Sequence, residues 1–354
     1  MADSGLLFIP DISGFTKFVN ETEIEHSRII IEELLENIIN SNKIGLHISE
    51  VEGDAILFYR FGETPSLEEI SNQVEKMFCN FQKQIKNYES ARMCTCAACM
   101  SAVNLSLKII THYGEFSSYT VKDFKKLIGK DVIVAHQLLK NDIDLHEYWL
   151  ATANLFSDKK NSLQLPDWLI WQHGNKQTEN GDISFNYSML TPLRNNIQPD
   201  LPADRTLGDK KIKLTSVTQT INTEIITVLS TMGNLSIRNK WQAGVKKIDN
   251  INHPIYHLGI RFRAVTDRGN TIFYSSSFSD ADNMFCMSET DEKKTQSIYI
   301  TLKPLPENKT SVTMDMYLPD NPLNRFIAPL FMKKRVEKIF KQSLNNLEAL
   351  LTKN

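Results

Sequence analysis

Residues 192–210 set Pro192, Pro199 and Pro202 among Asn, Asp, Arg and Gly with few apolar side chains, so no helix or strand can run through them. Any core must be completed before this stretch or begun after it. At 354 residues the chain exceeds what one core comfortably organises, and the reading is two domains, 1–197 and 211–354, joined by a linker over 198–210. The charge changes sign at the same place. Residues 1–200 carry 27 acidic and 18 basic side chains, whereas the remaining 154 carry 15 and 22. The totals cancel to −2, which implies neither nucleic acid nor an acidic membrane as a partner.

No apolar run approaches the roughly 20 residues that cross a bilayer, and the N-terminal MADSGLLFIPDIS lacks the basic region of a secretion signal. The expectation is a cytoplasmic protein without a transmembrane segment. Three of the five cysteines crowd into Cys94, Cys96 and Cys99, a spacing unsuited to a distributed disulfide framework, so reduced thiols are expected.

Before the divide, Leu6 to Asp11 reads as a strand ended by a turn at Gly14. Ile24, Ile29, Ile30, Leu34, Leu35, Ile38 and Ile39 recur at helical spacing, with Glu25, Glu32, Glu33 and Glu36 mostly opposite. Leu46 to Val51 and Ala55 to Tyr59 read as a hairpin turning across Glu52-Gly53 and delivering Asp54 to the second strand. Ser66 and Glu69 make a capping box before a helix whose Ile70, Val74, Met77, Phe78, Phe81 and Ile85 form one stripe. Strands at 103–113, near Trp149 and over 183–190, with a helix over 132–139, complete an α/β layer.

After the divide the order differs. A helix near 221–232 precedes strands at 258–265, 271–278, 284–289, 295–303 and 309–317, and a long helix from about Leu323 to Leu351 closes the chain. In it Ile327, Leu330, Phe331, Val336, Ile339, Phe340, Leu344, Leu347 and Leu351 outline a continuous apolar face. A curved antiparallel sheet wrapped on one helix is the natural reading, and the fold class is α+β.

Phe8-Ile9-Pro10-Asp11-Ile12-Ser13-Gly14-Phe15-Thr16, followed 43 residues after Asp11 by Glu52-Gly53-Asp54, resembles the class III adenylate and guanylate cyclases over most of residues 1–195. The resemblance implies a ferredoxin-like, cyclase-type α/β sandwich. It further implies that Asp11 and Asp54 hold Mg²⁺ or Mn²⁺ on a nucleotide triphosphate. Hard cations bridging a phosphate and an attacking ribose oxygen need paired carboxylates as ligands. The amides of Gly14, Phe15 and Thr16, at a helix start, would cradle phosphate oxygens. Family cyclases build the active site across a dimer interface, so a homodimer is implied as well.

Four family positions depart. Where active members place the base-reading Lys and Asp and the ribose-orienting Asn and Arg, alignment on Gly129 and Ala135 gives Glu50, Lys126, Ile133 and Gln137. Loss of the Arg from such a site costs on the order of 10³-fold, because little else neutralises charge developing in the transition state. Glu50 and Lys126 also invert the family's charge pair, which predicts a salt bridge across the base pocket. The expected first domain is thus a pseudoenzyme that keeps a metal and phosphate site; the alternative is an active, ligand-regulated cyclase.

Cys94, Cys96 and Cys99 could converge on Zn²⁺ with Cys79 or His112 as a fourth donor, form a redox-responsive group, or simply pack beside Ala97 and Ala98. His112 reads as structural rather than catalytic. Lys122, Lys125, Lys126 and Lys130 lack the interleaved aromatics of a nucleic-acid surface.

Residues 211–354 resemble the START-like helix-grip superfamily of polyketide cyclases and lipid-binding domains. The carriers are Lys213 to Gln219, Glu224 to Leu229, Arg238-Asn239-Lys240-Trp241 and the final helix. The resemblance implies a cavity for a hydrophobic small molecule or lipid. Met284, Met287, Met314 and Met316 are candidates for its lining, and Arg261 and Arg263 read as the sheet's outer face. The pairing of the two resemblances is similar to an uncharacterised bacterial family, and it suggests a sensor whose second domain reads an apolar ligand.

Overall fold

The computed structural model describes residues 3–156, 165–178, 181–200, 202–250 and 252–352. It is mixed α+β and divides into two compact units, one of Met1–Glu89 and Ala97–Asp200, the other of Ser90–Cys96 and Leu201–Asn354.

The first unit opens with β1 (Asp3–Ser13), α1 (Phe15–Glu21), α2 (Ile24–Asn40), β2 (His47–Glu52), β3 (Ala55–Phe61), α3 (Leu67–Ala91) and α4 (Ala97–Ser101). It continues with β4 (Ser106–Val121), β5 (Phe124–Ile128), α5 (Lys130–Leu139), β6 (Tyr148–Thr152), β7 (Gln172–Thr178), β8 (Gly181–Met189) and α6 (Thr191–Arg194). The sheet order is β2-β3-β1-β4-β6-β8-β7, with β5 hanging on β4. Its first four strands run β4-β1-β3-β2 and are all antiparallel, the ferredoxin-like order of a split βαβ. Strand β1 takes the middle because Leu6, Leu7, Phe8 and Ile9 are all apolar and at most 1% exposed, as a strand covered on both faces must be. Alternation sends Leu7 and Ile9 into one core with Val132, Ala135 and Leu138 of α5.

The β2–β3 turn falls on Gly53-Asp54, one residue beyond the expected position. Gly53 has φ +63°, which only a residue free of a Cβ adopts readily.

The second unit places β9 (Lys211–Ile221), α7 (Ile225–Gly233) and α8 (Arg238–Trp241) before β10 (Val245–Asn250), β11 (Arg261–Thr266), β12 (Gly269–Ala281), β13 (Met284–Asp291), β14 (Ser297–Leu305) and β15 (Lys309–Pro319). The strands form one curled antiparallel sheet in the order β10-β11-β12-β13-β14-β15-β9. Strand β10 escaped the sequence reading because Lys246, Lys247 and Asp249 dilute its apolar alternation.

The single final helix expected from Leu323 is instead three: α9 (Pro322–Phe326), α10 (Ala328–Phe331) and α11 (Lys333–Leu351). Pro329 has no N–H for the Arg325 carbonyl, and the ladder breaks there. The expected continuous apolar face is divided accordingly. Val336, Phe340, Leu344 and Leu347 of α11 enter the core, whereas Ile327, Leu330 and Phe331 lie exposed.

Candidate functional site

Asp11 stands across from Ala55 of β3 and, on its other side, from Lys108 of β4. The Ile12 amide donates to the Asp54 carbonyl at 2.9 Å, which stitches the Gly53-Asp54 turn beside the end of β1. The two residues expected to act together are thus neighbours in the backbone, placed so by strand register. Burial raises the Asp11 carboxyl to about 6; the Lys108 ammonium pulls it back and the Asp54 charge pushes it further up. Asp54 is raised as well, chiefly by burial.

Two desolvated like charges are an unrelieved cost that a cation removes, and oxygen-only donors suit a hard one such as Mg²⁺ or Mn²⁺. The residues therefore fit the metal that the cyclase resemblance implies. Lys108 supplies part of this relief: its Nζ is 3.5 Å from Asp11 Oδ1 and donates to the Leu139 carbonyl at 3.2 Å. Sequence reasoning missed Lys108. The available signal was a lone lysine inside the apolar run Leu107 to Ile110 of β4.

Gly14 leads into α1 with φ +88°, and a Cβ there would stand 3.3 Å from the Asn104 carbonyl oxygen. The Phe15 ring lies 3.8 Å from where a Cβ on Gly53 would be, so this loop and the Asp54 turn adjoin. Helix α1 has only seven residues, and Gly14 and Thr16 are exposed at its start.

Glu50 and Lys126 form an ion pair between β2 and β5. Ile133 and Gln137 project from α5 into a cavity of about 360 Å³ that His112, Asp131, Thr152 and Asn154 also line. No side chain at these two places carries charge. His112 is 3% exposed, with Nδ1 2.8 Å from Thr152 Oγ1 and Nε2 2.9 Å from Asp131 Oδ1. Burial lowers its pKa while Asp131 opposes the shift, so the ring clamps the start of α5 to β4. Both nitrogens being engaged, His112 is no donor for the cysteine group. Cys79 is no better suited, since burial pushes its thiol up to about 11.

An imidazole does lie beside one of these thiols: His26 of α2, whose Nδ1 is 3.6 Å from Cys99 Sγ.

In the second unit a cavity of about 210 Å³ separates β14 and β15 from α11, lined by Ile298, Met314, Met316, Ile339 and Phe340 with Gln296 and Arg335. Met314 and Met316 thus take the lining position considered for them, whereas Met287 is buried in the core and Met284 is absent from the lining. Phe262 and Ala264 are buried, and Arg261, on the alternate face of the strand, pairs with Glu292 at 2.9 Å. The sequence held no hint of the unit's buried charge. Arg238, 1% exposed, donates from Nη1 to Glu289 Oε1 at 2.5 Å, and the Tyr256 hydroxyl donates to the same oxygen at 2.5 Å.

Among the described residues no helix is long and apolar enough to cross a membrane. Residues 31–148 match a family model described as "Protein of unknown function (DUF2652)". The chain is 32% identical over 120 residues to "Uncharacterized protein Rv2561/Rv2562" of Mycobacterium tuberculosis (strain ATCC 25618 / H37Rv), which is 34% of this chain and 56% of that protein. Among solved structures it is similar to the guanylate cyclase domain of RhGC from Catenaria anguillulae in complex with GTP, at 15% identity and a TM-score of 0.39, covering 53% of this chain and 96% of that one. It is also similar to the adenylyl cyclase CyaB from P. aeruginosa, at 15% identity and a TM-score of 0.38, covering 53% and 95%.

Proposed function

We propose that the first unit binds a nucleoside triphosphate with a divalent cation and does not cyclise it efficiently, acting as the switch of a sensor protein. The observation that carries this reading is the Asp11–Asp54 pair, held by strand register and raised in pKa by burial, beside substituted positions Glu50, Lys126, Ile133 and Gln137. Asp11 and Asp54 would hold the cation, which when bound neutralises phosphate charge. The Gly14, Phe15 and Thr16 amides would meet phosphate oxygens. The Glu50–Lys126 pair occupies the hydrogen-bonding groups that a purine would need, and neutral Ile133 and Gln137 offer a developing oxyanion no positive charge.

The second unit, in this reading, takes an apolar ligand of modest size into the cavity beneath α11, with Arg335 available to an acidic end group. For the thiols, three cysteines within six residues, with the His26 imidazole beside Cys99, make a sulfur-rich donor set that favours Zn²⁺. Protein purified without added zinc should carry about one equivalent, and the C94S/C96S/C99S variant none.

Incubation of the purified protein with ATP or GTP and Mg²⁺ or Mn²⁺ tests the principal reading, with cyclic product and nucleotide binding both measured. Metal-dependent binding that Asp11→Ala weakens at least about tenfold, without cyclic product, is the expected result. Cyclic product that depends on Asp11 would replace it with an active cyclase. Absence of both binding and product would leave a scaffold.

A further inference from the structure

The segment from α9 to the start of α11 shows apolar side chains to solvent on a scale found nowhere else among the described residues. Leu323 is 61% exposed, Phe326 74%, Leu330 78% and Phe331 77%. Isolated exposed apolar side chains are ordinary; four large ones within nine residues make a patch that a soluble surface does not need. The interruptions at Ile327 and Met332 set α9 and α10 apart from α11, and only the stripe of α11 is buried.

Charge of one sign adjoins the patch. Lys333, Lys334, Arg335, Lys338 and Lys341 are all exposed, and none is in an ion pair among the described residues. The one acid within this run, Glu337, accepts a hydrogen bond from the Thr215 hydroxyl at 2.9 Å. Asp320 is spent on Arg325 at 2.5 Å. Lys333, Lys334 and Arg335 moreover fill the first turn of α11, the end where the helix dipole is positive and where cations are unfavourable. Three bases at that position weaken the helix on its own, and only an anionic occupant outside it reverses the sign of the interaction.

We propose that the segment 322–341 docks the protein on an anionic lipid bilayer, with Leu323, Phe326, Leu330 and Phe331 entering the interface and the lysines facing the headgroups. The pairing of exposed Phe and Leu with adjacent unpaired bases is what such a surface recognises: apolar side chains give depth, and bases give selectivity for anionic lipid. A protein partner would have to offer an apolar socket rimmed by acids, whereas a bilayer offers both layers at any point. The near-zero net charge of the whole chain does not oppose this, because attraction acts within about a Debye length of the patch. Met332 and Arg335 belong both to the patch and to the lining of the 210 Å³ cavity. The docked surface is therefore continuous with the cavity wall. This inference stands apart from the nucleotide reading of the first unit.

Flotation of the full-length protein with extruded vesicles tests it, using phosphatidylcholine alone and phosphatidylcholine with about 30% phosphatidylserine. Binding to the anionic vesicles should exceed binding to neutral ones at least tenfold and fall several-fold between roughly 50 and 300 mM salt. The F326E/F331E and K333E/K334E variants, whose side chains are exposed, should keep the wild-type circular dichroism and thermal midpoint while losing about tenfold or more of vesicle binding. Failure of the wild-type protein to float with anionic vesicles overturns the proposal, as does unchanged binding by both variants. A concentration-dependent dimer that F326E/F331E abolishes, without vesicle binding, would assign the patch to a second copy of the chain instead.

Discussion

The Asp11 carboxyl turns burial into a pH dependence. Its folded pKa of about 6 lies above the ordinary 3.8, so the folded state holds the proton more tightly than the unfolded chain does. Stability from this group is complete below about pH 4 and is lost as pH rises through about 6. Asp11→Asn should therefore be more stable than the wild type at pH 7 to 8 without divalent cation, by at most about 3 kcal/mol, and equal to it near pH 4. Urea titrations at the two pH values measure the difference. Added Mn²⁺ should stabilise only the wild type. Arg238 behaves oppositely: Arg238→Ala strands the buried Glu289 carboxylate and should cost about 3–5 kcal/mol, whereas joint replacement by R238M/E289L should recover most of the loss. Asp11 and Asp54 stand out in the sequence because each sits in a local motif. Lys108 and the Arg238–Glu289 pair do not, since each gains its meaning from a partner brought in by a distant strand.

Elements were legible where one periodicity ran unbroken, as in α2 and α3, whose apolar stripes were read to within a few residues. The end of the chain misled because apolar spacing continues through Pro329 although hydrogen bonding cannot. Spacing registers which residues share a face and is blind to a missing donor. Helix α5 offers a sharper test of element packing. A Cβ on Gly114 would stand 2.3 Å from Asp131 Cγ, so Gly114→Ala must displace the first turn of α5 from β4. The expected cost is on the order of 2 kcal/mol. The His112 ring should lose its Asp131 partner, visible as a shift of its imidazole resonances; an unmoved His112 spectrum would show that α5 is anchored some other way.

Among the described residues the molecule holds two cores, and their strands share no sheet. Calorimetry should accordingly resolve two unfolding transitions, with Arg238→Ala lowering one and Asp11→Asn at pH 7 raising the other. A single transition moved by both variants would mean that the units unfold as one. The expected division into two domains rested on proline content, charge and element order, which all change within the same few residues, and nothing in those signals could assign Ser90–Cys96 to the second compact unit. The START-like reading rested on element order alone, and a sheet with a terminal helix is a weaker signature than a pair of motifs at fixed spacing. The first unit has one more property. On the proposed reading a divalent cation would compete with the proton and the Lys108 ammonium for the same two carboxylates, so their occupancies would be exchanges rather than independent events. Near pH 6 each cation that enters should expel a fraction of a proton, and uptake of metal by this protein should acidify an unbuffered solution.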